Sequence, residues 1–383
     1  MQGHFKKRGE RWYFWVELDR DPDGKRRQLS RGGFRTRREA EKAYAELRDQ
    51  IRQGGFVAAS KTTVAEFLVG EWLPGIKASI RPSTHALYSR IVDAYVVPRI
   101  GARRLSELTP GQLNALYAAL LTDGRRQASA SRPAGLSPKM VRHVHTLLHK
   151  AFSDAVRWGS LARNPAERAE PPRPRTPEMK VWDVAQLRRF LAEVDNDRLG
   201  PVWLLMTTTG MRRGEVSGLR WADVDLDGGR LSIVQTHVIV NRKVLVSEPK
   251  TLKGRRSIAL DTVTVSGLRQ LRRRQMEEHL AHGVPWAETG LVLSCEDGTP
   301  INPRSISSAF TRHARAAGLP PIRFHDLRHS YATAALAAGV PAKIVSERLG
   351  HASIAITLDT YSHVLPNMQE KAAEQVAHLI LGA

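Results

Sequence analysis

Near the C-terminal end, residues 321 to 365 read PIRFHDLRHSYATAALAAGVPAKIVSERLGHASIAITLDTYSHVL. A histidine and an arginine three residues apart (His325, Arg328), a second histidine directly after a glycine (Gly350, His351) and a tyrosine further on (Tyr361) stand among apolar helical positions. Residues three apart share a helix face, so the imidazole of His325 and the guanidinium of Arg328 can address one ligand. Fixed positive charge, imidazole and phenol together suit the handling of a phosphate.

Three helices have to position these groups. Leu327, Tyr331, Ala334 and Ala338 keep a 3.6-residue beat and mark the inward face of the first. Gly339 ends it, and Pro341 sits in the first turn of the next, whose Ile344, Val345 and Leu349 lead to a stop at Gly350. His351 then projects from a tight turn. Ser353 can cap a last short helix on which Ile354, Leu358 and Tyr361 fall on one stripe.

In this order and spacing, the residues resemble the signature of the tyrosine recombinase family, the phage integrases in particular. The resemblance extends upstream. TTTGMRRGEVSGLRWADVDL, residues 207 to 226, is similar to the family's first arginine box, with Arg212 in the catalytic place and Glu215 in a supporting place one turn later. SEPKTLKGRRSIAL, residues 247 to 260, is similar to its β-hairpin segment, with Lys250 as the lysine and Lys253, in the same loop, as a substitute. The implied catalytic set is Arg212, Lys250, His325, Arg328, His351 and Tyr361.

What the resemblance implies is DNA cleavage and rejoining through a 3′-phosphotyrosine, with no metal, other cofactor or ATP. The bond energy is kept in the ester. An anionic phosphodiester with a poor alkoxide leaving group then needs fixed positive charge, a nucleophile and a proton donor from the protein. Arg212 and Arg328 would hold the non-bridging oxygens through their planar forks. Tyr361 would attack phosphorus, and because a phenol titrates near ~10 its proton must leave on the way. His325 is the family-like general base, Lys250 the acid for the leaving 5′ oxygen, His351 a hydrogen-bond donor to the phosphate, and Glu215 an orienting group.

The rest of the composition agrees with a polyanionic partner. The chain has 383 residues, a length suited to two or three domains, and a net charge of +21. Lys and Arg exceed Asp and Glu in every segment: 15 against 9 in residues 1 to 60, 16 against 8 in 61 to 172, and 28 against 21 thereafter. Such a spread suits contact with a nucleic acid along the whole chain. No apolar run is long enough for a membrane span and no signal peptide is evident, so a cytoplasmic, nucleoid-associated protein is expected. The single Cys295 excludes an intramolecular disulfide and a cysteine-based zinc site, and is expected to be buried after Leu291 to Leu293.

Taken from the N-terminus, the expected fold class is α+β and multidomain. Residues 1 to 60 open with RWYFWVELDRDPDGKRRQLSRGGF, strands broken by a PDG turn. Thr36 with Glu39 then starts a helix carrying Ala40, Ala43, Tyr44, Leu47 and Ile51. This layout resembles the arm-type DNA-binding domain of many integrases. Residues 61 to 168 read as all-helical, similar to the helical core-binding (SAM-like) domain that clamps duplex DNA together with the catalytic domain. His145 and His149 are spaced like a metal pair, but no third ligand is evident and a DNA-facing or solvated face is the preferred reading. A proline-rich linker, residues 169 to 179, leads to a catalytic domain over 180 to 383, mostly helical with one small antiparallel sheet and a C-terminal tail helix.

By resemblance, the partners are double-stranded DNA at attachment sites, both core and arm, and three further copies in a synaptic tetramer. A host DNA-bending protein and an excisionase belong to the same family picture, as does docking of the tail helix on a neighbouring subunit, with folding back on its own domain as the alternative. The implied function is a site-specific recombinase that integrates and excises a mobile element such as a prophage. A type IB topoisomerase-like nicking and resealing enzyme is the rival with the same chemistry, and a non-catalytic DNA-binding regulator is the rival from another class. The arm-like segment favours the first, because a second DNA-binding domain has a use where distant sites are brought together.

Overall fold

The computed structural model describes residues 3–18, 27–52, 61–125, 129, 133–174, 179–241, 243–249, 252–286, 290–361 and 366–382. The PDG turn and Lys250 therefore lie outside the described residues. The chain divides into two compact units, Met1–Thr176 and Pro177–Ala383.

The first unit begins with three antiparallel strands, Gly3–Arg8, Arg11–Leu18 and Arg27–Phe34, the middle strand pairing with both neighbours. Alternation puts Phe14 and Val16 on one face, where they are buried against Ala40 and Leu47 of the helix Arg37–Arg52. The capping contact is present, with Glu39 N–H donating to Thr36 Oγ1 at 3.2 Å. Arg37 stacks over Trp12 at 5.8 Å from the ring centre.

A separate, all-helical core follows. Its long helix, Pro138–Arg157, buries Val141, Val144, Leu148, Phe152 and Ala155, the residues its periodicity marks. Asp154 is buried on the same helix, and it accepts from Trp72 Nε1 at 2.9 Å while pairing with Lys150 and Arg157, so the buried charge is fully engaged. Thr109 and Gln112 form a capping box on Pro110–Asp123. His145 turns to the hydroxyl of Tyr117, with Nδ1 and Oη 3.0 Å apart, an interior contact rather than a solvated face.

The second unit is mainly helical. Its small sheet joins Val224–Asp225, Arg230–Ile233 and Arg256–Ala259, all antiparallel, while Thr236–Val240 and Lys243–Ser247 form a separate hairpin. The apolar run of residues 230 to 238 is thus broken at Val234 and Gln235 and feeds two sheets, where one was expected. The helix Thr262–Ala281, to which the sequence reading assigned nothing, packs Leu268 and Leu271 into the core and places Gln275 against Trp221 Nε1 at 2.8 Å. Pro303–Ala316 buries Ile306, Phe310 and Ala314.

Several expectations are corrected, among them Ala338, which is exposed at the end of the helix Asp326–Ala337 and not part of its inward face. Cys295 is exposed, because the buried run ends at Ser294 and Cys295 opens a turn closed by Gly298 N–H to its carbonyl at 3.0 Å. Ile344 is also exposed, leaving Val345 and Leu349 as the inward residues of Ala342–Leu349. On Ile354–Tyr361 the inward face is Thr357 and Tyr361, one turn apart, while Ile354 and Leu358 face outward. Among the described residues no helix is long and apolar enough to cross a membrane.

Candidate active site

Arg212 stands just before the short helix Arg213–Ser217, held there by Glu215, whose carboxylate accepts from the Arg212 backbone N–H at 2.8 Å and from its Nη1 at 2.7 Å. The remaining reach of the side chain goes to Gly350 O, 3.1 Å from Nη2. Arg212 is partly open, its side chain 38% exposed. It can therefore meet a ligand.

Arg328 belongs to the helix Asp326–Ala337 and is buried. Its Nη1 donates to Gly210 O at 2.9 Å and its Nη2 to Leu349 O at 2.6 Å. Both acceptors close helices, Gly200–Thr209 and Ala342–Leu349, whose last carbonyls lack partners within their own helices. The guanidinium satisfies them and meets the negative ends of two helix dipoles. Burial, then the neighbouring Arg212 charge, pushes the Arg328 pKa down to about 9, which leaves it charged at neutral pH.

Gly350 joins the two arginines. It takes φ +65°, the left-handed conformation that ends a helix without a Cβ penalty, and a Cβ there would stand 2.9 Å from Arg256 Nη1. The next residue, His351, is turned inward, with Nδ1 2.8 Å from Thr357 Oγ1. Burial first, then Arg328 and Arg212, lowers its pKa to about 4. His351 is neutral at physiological pH.

His325 sits at the start of the Arg328 helix, open to solvent, with its ring 5.3 Å from that of His329 in an edge-to-face arrangement. Partial burial first, then the neighbouring His329 ring and the Arg328 charge, holds its pKa below the ordinary histidine value. The outer side of the imidazole remains available. A ligand that brings negative charge would raise both histidines again.

Tyr361 is fully buried, packed among Ala332, Leu336, Val345 and Leu349. Its hydroxyl lies 2.7 Å from His329 Nδ1. Burial raises the phenol pKa to about 12 against an opposing pull from Arg328.

Two participants were not named from sequence. Arg256, on the strand Arg256–Ala259, donates from Nη1 and Nη2 to the two oxygens of Glu215 at 3.0 and 2.9 Å and from Nε to Arg348 O. In sequence it is one of several arginines in a basic loop, and only its period-2 placement beside the buried Ile258 hints at its direction. His329, a residue after Arg328, carries the phenol contact. Its signal was the second histidine at four-residue spacing from His325. Lys253 is exposed and donates from Nζ to Ala352 O at 2.9 Å, at the site's rim.

The arrangement gathers three guanidinium groups around one carboxylate, with three imidazoles and a phenol alongside. Its charge balance favours an anion, and its forked donors suit a tetrahedral oxyanion. Among the described residues no group of three or more His, Cys, Asp or Glu is placed to hold a metal ion.

The chain is similar to known proteins over most of its length. The Phage integrase family pattern matches residues 180–368 and an Arm DNA-binding domain pattern matches residues 4–51, together more than half of the chain. A "Tyrosine recombinase XerC-like" protein of Caldanaerobacter subterraneus subsp. tengcongensis is 29% identical over 99% of both chains. Among solved structures, the Tn1549 transposon integrase in complex with circular intermediate DNA superposes with a TM-score of 0.66 at 18% identity, covering 82% of this chain and 99% of that one. A lambda integrase tetramer bound to a Holliday junction gives 0.55 at 18% identity, over 91% and 92% of the two chains. The chain belongs to the phage integrase family of tyrosine recombinases.

Proposed function

We propose that this protein is a site-specific DNA recombinase that integrates and excises a mobile genetic element, using Tyr361 as nucleophile. The observation that carries the reading is the convergence of Arg212 and Arg328 on the turn Leu349–Gly350–His351, with the phenol of Tyr361 one helix away. Arg212 and Arg328 bind the non-bridging oxygens of the scissile phosphate and stabilise the charge that builds up in the transition state. His351 donates a hydrogen bond to the same phosphate. Tyr361 Oη forms the new bond to phosphorus, the bond to the 5′ oxygen breaks, and Lys250 supplies the proton that the leaving oxygen takes. The phenol proton goes to an imidazole: His325 holds the place that the resemblance gives to the base, and His329 holds the hydrogen bond.

In this reading residues 1–60 bind arm sites, 61–168 form the core-binding domain, 169–179 are the linker and 180–383 the catalytic domain. The protein works on double-stranded DNA as a tetramer. The lambda integrase tetramer on its junction supports this assembly, and the DNA-bound Tn1549 integrase supports the DNA partner. The arm-domain match supports integration over simple nicking and resealing.

The test is a duplex nicked just downstream of the crossover phosphate, taken from the DNA flanking the gene, incubated with the protein in EDTA and resolved on a denaturing gel. A covalent protein–DNA band is expected, absent in Tyr361→Phe and reduced on the order of 100-fold or more in rate by Arg328→Lys. Intact DNA binding without any band from the unaltered protein would leave only a DNA-binding regulator.

A further inference from the structure

We infer that His329 is a catalytic residue, the base that takes the proton from Tyr361 when the phenol attacks phosphorus. The inference rests on the recombinase reading above and deepens it. Tyr361 Oη is a reacting atom, and His329 Nδ1 stands 2.7 Å from it, within the range a proton-transfer partner must occupy. The two rings are 5.8 Å apart and both are set in the packed interior, Tyr361 fully and His329 in part. His325, by contrast, lies at the open start of the helix and its ring faces His329 edge to face.

The surroundings suit a base. On its own helix and the turn before it, His329 faces Asp326, whose charge favours the protonated form, and Arg328 and Arg323, which oppose it. From other elements it meets Tyr361 and lies within electrostatic reach of His351. Burial lowers the His329 pKa first, so the ring is neutral at physiological pH and can accept. The step balances simply. The Oη–H bond breaks toward Nδ1, the Oη–P bond forms, and the P–O5′ bond breaks with the 5′ oxygen protonated by the acid of the site. Religation runs the same transfers backwards, the imidazolium of His329 returning its proton to the phenol. His325 is then left to contact the phosphate.

Single-turnover cleavage of the nicked flanking duplex by the full chain, followed from pH 6 to 9, tests this. His329→Asn is the informative variant, since an amide oxygen can still accept the phenol hydrogen bond but cannot carry its proton away. Its DNA binding and melting temperature serve as controls, with His329→Gln in its place if it fails to fold. The unaltered protein should show a rate that is flat above neutrality. His329→Asn should be slower by about 100-fold at pH 7 and should climb with pH as hydroxide takes over the deprotonation. Cleavage by His329→Asn at the unaltered rate, or a loss that is equal at every pH, would overturn the inference while leaving the recombinase reading in place. No covalent product from the unaltered protein would overturn that reading and the inference with it.

Discussion

Arg256 meets Glu215 end-on, Nη1 and Nη2 each donating to its own carboxylate oxygen, and both side chains are almost completely buried. The same carboxylate accepts from Arg212. Burial alone would raise the Glu215 pKa, but the Arg256 hydrogen bonds and charge, followed by Arg212, outweigh it and hold the group below the usual carboxylate range. Glu215 thus holds Arg212, the arginine proposed to bind phosphate, and is itself held by Arg256 on the strand behind it.

Removing either partner should leave the other charge buried and unpaired. Glu215→Gln and Arg256→Met are each expected to cost ~3–5 kcal/mol in urea denaturation, with the double variant costing clearly less than the sum. Additive losses would show that the pair is not coupled. Because the folded-state pKa of Glu215 lies below its unfolded value, the contribution is complete above the unfolded value and is lost as pH falls through the folded one.

Gly350→Ala should damage stability and cleavage together. Its φ of +65° strains any L side chain, and the added Cβ would press on Arg256 Nη1 at 2.9 Å and Lys253 O at 3.0 Å. The expected loss is ~1–3 kcal/mol in unfolding free energy. A fall in single-turnover cleavage should accompany it, because the Arg212 acceptor moves. By comparison Gly339→Ala, also at positive φ, meets nothing within 4 Å and should leave cleavage unchanged. Equal cleavage by the two variants would mean that the turn does not position Arg212.

The histidines make the unliganded protein sensitive to mild acid. The His351 pKa is depressed to about 4, chiefly by burial, and that of His329 is lowered for the same first reason. The unfolded chain therefore binds protons before the folded one as pH drops below about 6.5. Stability is full above that value and declines through the window toward 4, by up to about 2 kcal/mol from His351 at pH 5. Melting curves at pH 7.5 and 5 should show the drop, and His351→Asn should make it smaller. A melting temperature that rises on acidification would contradict the electrostatics described for this site.

Much of the site was legible because its residues lie on short helices whose stops are written locally. Gly350 ends one helix, His351 follows it, and Arg328 sits one turn after His325, so sequence spacing maps onto space. Arg256 was not legible, since its role depends on a partner 41 residues away and only its two-residue spacing from the buried Ile258 separates it locally from Arg255. Tyr361 was read correctly as inward, but its stripe was not. The polar Thr357 is buried by its contact with His351, and it displaces Ile354 and Leu358 from the face that hydrophobicity alone assigns them. The helix Thr262–Ala281 escaped for a similar reason: its interior includes Gln275 and His279, polar groups that hide the apolar period. In the N-terminal sheet, alternation around Phe14 and Val16 made the buried face plain.

The central claim is that Tyr361 is the nucleophile, and a chemical map of the covalent adduct tests it most directly. The protein would be trapped on the nicked flanking duplex, the DNA trimmed by nuclease, and the peptides sequenced by mass spectrometry. The account predicts a nucleotide-bearing peptide modified at Tyr361, with the 5′ side of the cut left as a free hydroxyl. A modification on Tyr331, whose hydroxyl accepts from Arg348 Nε at 2.7 Å, or on any other side chain would contradict it.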